Sequence, residues 1–224
     1  MLLPPGCFAS ETRIEELEQQ GSDVAAAEAL GLEIPPQLVR AVPKRRLEFL
    51  AGRLCARRAL RQAGYADEAT IAIGEQRAPV WPPGFVGSIA HGNGTAWAVV
   101  AAHERYRGLG IDLEEIVAPA SARSLSTNVL RPEERERMQP AGLSEEQFVS
   151  LVFSAKESLF KCLHPITLAR FGFQDAEVVH LDLGASLLRL SLRAALSAEF
   201  QPGTEFDMAF ELSSQIRTAV FMQR

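Results

Sequence analysis

The sequence predicts an α+β fold, and three observations carry that expectation. Apolar residues recur at helical spacing in two long stretches, about residues 44–63 and 145–163. The Asn93-Gly94 pair joins two runs that read as a β-hairpin. After Pro165 the chain reads mostly as short strands, at 176–183, 186–192, 206–212 and 215–222. Long helices interspersed among antiparallel strands define this class. A break near residues 103–110 divides the chain into two comparable halves, 1–108 and 109–224.

Taken in order, helices are expected over Ala9–Gln20 and Ala25–Leu30, with Pro35-Pro36 breaking the chain before the next element. The helix of residues 44–63 presents Phe49, Ala56, Leu60 and Ala63 on one face and ends at Gly64 as a C′ residue. Gly52 inside it costs about 1 kcal/mol relative to alanine, which close packing against another backbone would explain. Arg46, Arg53 and Arg57 line one side; they are either a solvated face or a row of guanidinium forks suited to phosphate. Proline-rich strand and turn structure fills 71–84, and the hairpin then runs from Phe85 to Ala102. A strand over 109–114 places Asp112 and Glu114 on one face, and Ile111 and Leu113 on the other. Helices follow at 121–130 and from Pro132. Ser144 and Gln147 form a capping box for the helix of 145–163, which His164-Pro165 is expected to stop. A short helical piece is expected near 194–200.

Composition bounds the function. With 47% hydrophobic and 23% charged residues the chain supports a sizeable core without staples. Cys7, Cys55 and Cys162 are an odd count without close spacing, which argues for reduced thiols and a cytoplasmic protein. The N-terminus reads as no signal peptide, and no stretch is long and apolar enough for a membrane span. The net charge of −5 argues against a general nucleic-acid binder.

The central helix carries the chemistry. Phe148, Val152, Ala155, Leu159 and Leu163 form its apolar stripe, and Glu157 and Lys161 lie opposite, four residues apart, flanked by Phe153 and Phe160. Alone they read as an i,i+4 ion pair worth roughly 0.2–0.5 kcal/mol. Together with Asp112 and Glu114 they read otherwise. Three carboxylates from two elements can converge on one divalent cation, and oxygen-only ligation suits Mg²⁺, which fills its octahedron with water and substrate phosphate. Lys161 would reach those phosphates as a point charge, and Arg46, Arg53, Arg57, Arg77 and His91 could hold further ones. This composes attack at phosphorus beside a metal-bound pyrophosphate.

The segments Gly110-Ile111-Asp112-Leu113-Glu114 and Phe153-Ser154-Ala155-Lys156-Glu157-Ser158-Leu159-Phe160-Lys161 resemble the two signature motifs of the 4′-phosphopantetheinyl transferases. Phe49–Arg53, Gly87-Ser88-Ile89-Ala90-His91 and Phe171-Gly172-Phe173 are similar to the larger, surfactin-synthetase-activating type, on the enterobactin synthase component D branch. The resemblance runs from about Lys44 to Val178. It implies a pseudo-twofold fold of two similar α/β halves, with coenzyme A bound in the cleft between them. It implies that 1–108 contributes to coenzyme A binding and 109–224 supplies the metal-binding and catalytic motifs. Asp112, Glu114 and Glu157 would hold Mg²⁺, or Mn²⁺, and Asp112, Glu157 and Lys161 would be catalytic. Arg53 and His91 would hold the 3′-phosphate, with Arg46 and Arg77 as weaker candidates, and Ser88, Lys156 and Lys161 complete the coenzyme set. Ala90 stands where the family often has a hydroxyl, and Phe153 where it often has tryptophan, so altered coenzyme contacts with retained activity are expected.

The function this implies is Mg²⁺-dependent transfer of phosphopantetheine from coenzyme A to a serine of an apo acyl, aryl or peptidyl carrier protein by a cytoplasmic monomer, in siderophore, polyketide or fatty acid synthesis. The rivals are a non-catalytic coenzyme A- or carrier-binding module, a Mg²⁺-dependent phosphohydrolase, and a structural protein with ordinary ion pairs.

Overall fold

A computed structural model describes residues 2–67, 71–138 and 142–224. The chain divides into two compact units. One comprises Pro5–Arg107 with Arg224, and the other Gly108–Gln223 with the residues up to Pro4.

The first unit is built on a long helix lying against a three-stranded sheet. Strand β1 (Cys7–Arg13), helices α1 (Ile14–Glu18), α2 (Asp23–Leu30) and α3 (Pro43–Gln62), and strands β2 (Phe85–Gly92) and β3 (Thr95–Ala102) follow in order. The sheet order is β1-β3-β2, antiparallel throughout. The hairpin forms where Asn93-Gly94 predicts it, with both residues at positive φ, 48° and 66°. The helix expected over Ala9–Gln20 is instead a strand followed by a short helix. Every residue of β1 from Cys7 to Arg13 pairs with β3, and this long-range pairing overrides local helical preference. Helix α3 buries Leu47, Leu50, Ala51, Leu54, Cys55, Ala59 and Leu60 against this sheet. Its Gly52 meets a side chain rather than a backbone: a Cβ there would lie 2.8 Å from Ile89 Cγ2 of β2.

The second unit contains β4 (Tyr106–Glu115) from Gly108 onward, α4 (Pro119–Val129), α5 (Pro132–Met138), α6 (Glu145–Thr167) and strands β5 (Ala176–Asp182), β6 (Leu187–Leu192), β7 (Glu205–Leu212) and β8 (Gln215–Gln223). They give a sheet of order β4-β8-β7-β6-β5 with α6 against it. Two sheets with helices bear out the α+β expectation. The capping box of Ser144 and Gln147 is present.

Two expectations in this unit are corrected. Pro165 does not stop α6, which continues to Thr167 and closes at Leu168 in the left-handed region, φ 56°. A proline in the last turn forfeits one backbone hydrogen bond, while the added turn seats Ile166 over Gly108, where a Cβ would lie 2.7 Å from Ile166 Cδ1. Residues 194–200 form bends rather than a helix; local bonds such as Leu196 N to Phe200 O tie them into a loop that buries Phe200.

Candidate active site

Two glycines let helix α6 lie directly on strand β4. Alternation puts Gly108, Gly110, Asp112 and Glu114 on one strand face. A Cβ on Gly110 would overlap the Ser158 carbonyl oxygen and lie 2.7 Å from Cys162 N; one on Gly108 would lie 3.0 Å from Cys162 O. The helix is pinned from β8 as well, where Thr218 Oγ1 meets Ser154 Oγ at 3.0 Å and Ser158 Oγ at 2.7 Å, all buried. Further along, Ser150 Oγ accepts from Val117 N at 3.0 Å. So close a seat brings Asp112 within reach of the turn that packs on Gly110, where Lys161 Nζ donates to Asp112 Oδ1 at 2.6 Å.

The site is rich in negative charge. Asp112 is 4% exposed, and its Oδ2 is buried without a hydrogen-bond partner. Glu114 is pushed up to about 7, by burial first and then by the charge of Asp112, with Lys161 pulling the other way and Glu157 adding to the rise. Burial also raises Glu157, opposed by Lys161 and reinforced by Asp112. Three mutually repelling carboxylates, one bearing an orphaned buried oxygen, are a donor set that fits a hard divalent cation. Among the described residues no three Asp, Glu, His or Cys side chains are already gathered tightly enough to hold an ion; in this arrangement Lys161 is the counter-charge on Asp112.

Lys156 takes a different part. Its Nζ donates to Glu134 Oε2 at 2.7 Å and to Val129 O at 2.8 Å. Glu134, fully buried, also accepts from Arg131 N at 2.7 Å and Val178 N at 2.6 Å. One carboxylate thus ties α5, α6 and β5 together. Glu177 beside this network receives Arg137 at 2.5 Å and Arg193 at 2.7 Å.

A hollow of about 260 Å³ opens beside these groups, lined by Lys156, Glu157, Phe160, Phe171, Gly172 and Phe173. Phe153 packs on Phe173 with ring centroids 5.2 Å apart. Phe160 packs on Phe171 at 5.3 Å and stacks on His164 at 4.9 Å.

The first unit carries a basic pocket of about 740 Å³, whose polar lining includes Arg40, Arg45, Glu48, Arg53, Arg77 and His91. Arg53 is buried and fixed, with Nε donating to Ile71 O at 2.7 Å and Cζ 4.5 Å from the Phe49 ring centroid. Burial, helped by Arg45, lowers it to about 10, so it remains charged at neutral pH. Arg45 Nη1 lies 2.7 Å from His91 Nε2 and 3.2 Å from Glu48 Oε2. Gln76 and Arg77, consecutive on the pocket wall, both hold positive φ, 50° and 68°.

The structure therefore gathers Asp112, Glu114, Glu157 and Lys161, and separately Arg53, Arg77 and His91. Ser88 is buried in β2, on the face opposite Ile89 and His91. Arg46 is drawn elsewhere: its Nε bonds Asp23 and its Nη1 reaches the carbonyls of Val39 and Ala41. Arg57 donates to Leu30 O at 2.7 Å. Arg40 and Arg45 escaped the sequence reading. A signal existed for Arg45, because Arg45, Phe49 and Arg53 share one helix face at spacings of four. Glu134 carried no such signal, since a glutamate in a charged run reads as solvated surface.

Comparison with known proteins bears on these motifs. The model of the 4′-phosphopantetheinyl transferase N-terminal domain matches residues 35–101, and that of the 4′-phosphopantetheinyl transferase superfamily matches residues 108–214. Enterobactin synthase component D of Escherichia coli (strain K12) is 41% identical over 172 residues, covering 77% of this chain and 79% of that protein. Its namesake from Salmonella typhimurium is 33% identical over 209 residues, covering 93% and 85%. The 4′-phosphopantetheinyl transferase PptT of Mycobacterium tuberculosis is 37% identical over 147 residues, covering 65% and 63%.

Proposed function

Because this chain belongs to the 4′-phosphopantetheinyl transferase superfamily, we propose that it transfers phosphopantetheine from coenzyme A to a serine of an apo carrier protein. The serine oxygen attacks the β-phosphorus, the bond from that phosphorus to the bridging oxygen breaks, and adenosine 3′,5′-bisphosphate leaves with that oxygen. One observation carries the reading: the Asp112–Glu114 face of β4 lies against the Glu157–Lys161 turn of α6, with Lys161 2.6 Å from Asp112.

The roles follow from chemistry. Asp112, Glu114 and Glu157 would hold Mg²⁺ or Mn²⁺, which when bound polarises the pyrophosphate and offsets its charge. Lys161 meets the same phosphates and steadies the leaving group. Glu157 is one candidate base for the serine proton, and a water at the cation is the other. In the other unit, Arg53, Arg45 and His91 are suited to the 3′-phosphate, with Arg77 beside them. We thus assign the coenzyme's nucleotide end to the unit of Pro5–Arg107, and the metal and catalytic groups to the unit beginning at Gly108. Since one chain carries both sets, we read the enzyme as a monomer. Its three free thiols suit the cytoplasm.

The test is incubation with coenzyme A, Mg²⁺ and a panel of apo carrier proteins, followed by intact mass. A gain of one phosphopantetheine on a carrier, with none when its serine is replaced by alanine, is the expected result. Release of the bisphosphate without any carrier would instead indicate a phosphohydrolase. Coenzyme A binding without turnover on any carrier would indicate a non-catalytic module.

A further inference from the structure

Three hydroxyls interrupt an otherwise apolar contact between α6 and β8. On β8, Thr218 lies between Ile216 and Val220 on one strand face, and both neighbours belong to the apolar core. On α6, Ser154 and Ser158 lie one turn apart, beside the buried Ala155 and Leu159. All three hydroxyl residues are 0% exposed. Their protons can be assigned without conflict. Thr218 Oγ1 donates to Ser154 O at 3.0 Å. Its two lone pairs accept from Ser154 Oγ at 3.0 Å and from Ser158 Oγ at 2.7 Å. Ser158 Oγ also reaches Thr218 O at 3.2 Å. One threonine thus gathers the polar groups of a whole helical turn.

Burying these groups costs their hydration, which is recovered only where all three meet. An interface of alanine and valine would tolerate small slides and rolls of the helix, whereas this one favours a single height and angle. The turn so held is the one that carries the chemistry. Ser158 follows Glu157 and precedes Lys161 by three residues. Its carbonyl abuts Gly110, two residues before Asp112 on the same face of β4. Ser158 is therefore fixed on both sides, its backbone by β4 and its hydroxyl by β8. A helix roll of about 10° displaces a group roughly 5–6 Å from the axis by about 1 Å. A misplacement of that size can cost about a hundredfold in rate.

We propose that Thr218 is a positioning residue for the transfer reaction, setting from β8 the roll and height of α6 that present Glu157 and Lys161 to Asp112 and Glu114. This rests on the transferase reading above and adds to it a residue outside both signature segments and outside the basic pocket. Thr218 acts through Ser154 and Ser158, not on the reacting atoms.

A hydroxyl cluster that serves stability alone makes a different forecast. Activity would then follow stability from variant to variant. A cluster that positions the helix separates the two.

The experiment assays the full chain with coenzyme A, Mg²⁺ and an apo carrier that the wild type modifies. It measures kcat and both KM values separately, and unfolding in urea alongside. Thr218→Ser keeps the hydroxyl and loses a methyl. It is expected to unfold at lower urea yet keep kcat within about twofold of wild type. The combined variant Ser154→Ala, Ser158→Ala, Thr218→Val removes all three hydroxyls together, which can be nearly neutral for stability. It is expected to unfold near the wild-type midpoint, yet to lose about tenfold in kcat with both KM values within about twofold. A combined variant with wild-type stability and a kcat within about twofold of wild type overturns the proposal. So does a Thr218→Ser enzyme whose kcat falls as far as that of the combined variant. Should the combined variant fail to fold by circular dichroism, Thr218→Val takes its place. Its kcat is then compared with that of Thr218→Ser, and equal values overturn the proposal. Absence of transfer by wild type to any carrier overturns the transferase reading and this role together, while an active wild type without the separation overturns this role alone.

Discussion

Lys156 Nζ donates to Glu134 Oε2 across 2.7 Å, and both side chains are buried. The lysine beside Glu157 thus has a buried partner of its own. Removing one partner of a buried pair costs about 3–5 kcal/mol, while replacing both with apolar groups can be neutral. Glu134→Ala is expected to lower stability by that amount in urea unfolding. Glu134→Leu with Lys156→Met should recover most of it and keep a near-wild-type KM for coenzyme A. A KM raised tenfold in the stable double variant would return Lys156 to the coenzyme site.

Asp112→Asn and Glu157→Gln preserve shape and remove charge. Transfer to the carrier is expected to fall by about 10²–10³-fold, the usual loss for a group that stabilises charge in the transition state. Circular dichroism and thermal melting should show folded protein. Turnover within threefold of wild type in either variant would remove these residues from the metal site.

Arg53→Ala and His91→Ala should weaken coenzyme A more than 3′-dephospho-coenzyme A. A hydrogen bond to a charged group is worth about 1.5–3 kcal/mol, roughly a tenfold to hundredfold change in Kd for the ligand bearing the phosphate. Arg53 also donates to Ile71 O, so the comparison of two ligands on one variant separates phosphate binding from packing. Equal losses for both ligands would assign the residues to packing.

Phe160 lines the hollow beside Glu157 and touches Phe171 and His164. Carrier docking on an acidic enzyme needs local apolar contact rather than overall attraction. Phe160→Ala is expected to raise the apparent KM for the carrier several-fold while leaving that for coenzyme A unchanged. Unfolding of the variant, or an unaltered carrier KM, would make Phe160 a packing residue only.

Glu177 supplies a pH signature. Burial pushes it up, but hydrogen bonds from Arg193 and Arg137 outweigh burial and leave it below its ordinary 4.5. A carboxylate lowered in the fold adds stability above its unfolded value, and that stability is lost as pH falls through and below it. Urea unfolding between about pH 7 and about pH 3 should show wild type more stable than Glu177→Gln at the neutral end. The two should converge in acid, and parallel curves would contradict the assignment.

Local chemistry determined a good part of this protein. The capping box at Ser144, the turn at Asn93-Gly94 and the alternation of the C-terminal strands each depend on residues a few positions apart, so they were legible in order along the chain. The two motifs around Asp112 and Glu157 were legible for the same reason, because strand and helix periodicity each assign a face. Other features needed the tertiary structure. Pairing with β3 made a strand of Cys7–Arg13, and the seat of Ile166 on Gly108 carried α6 past Pro165. Arg46 and Arg53 look alike in sequence, yet Asp23, 23 residues away from Arg46, claims the first, while the second stays at the basic pocket. Glu134 and Lys156 lie 22 residues apart, and only folding reveals that they answer each other. A side chain's partner depends on which distant element arrives beside it, and the free energy of that arrival is set by packing and desolvation over the whole unit rather than by neighbours in sequence.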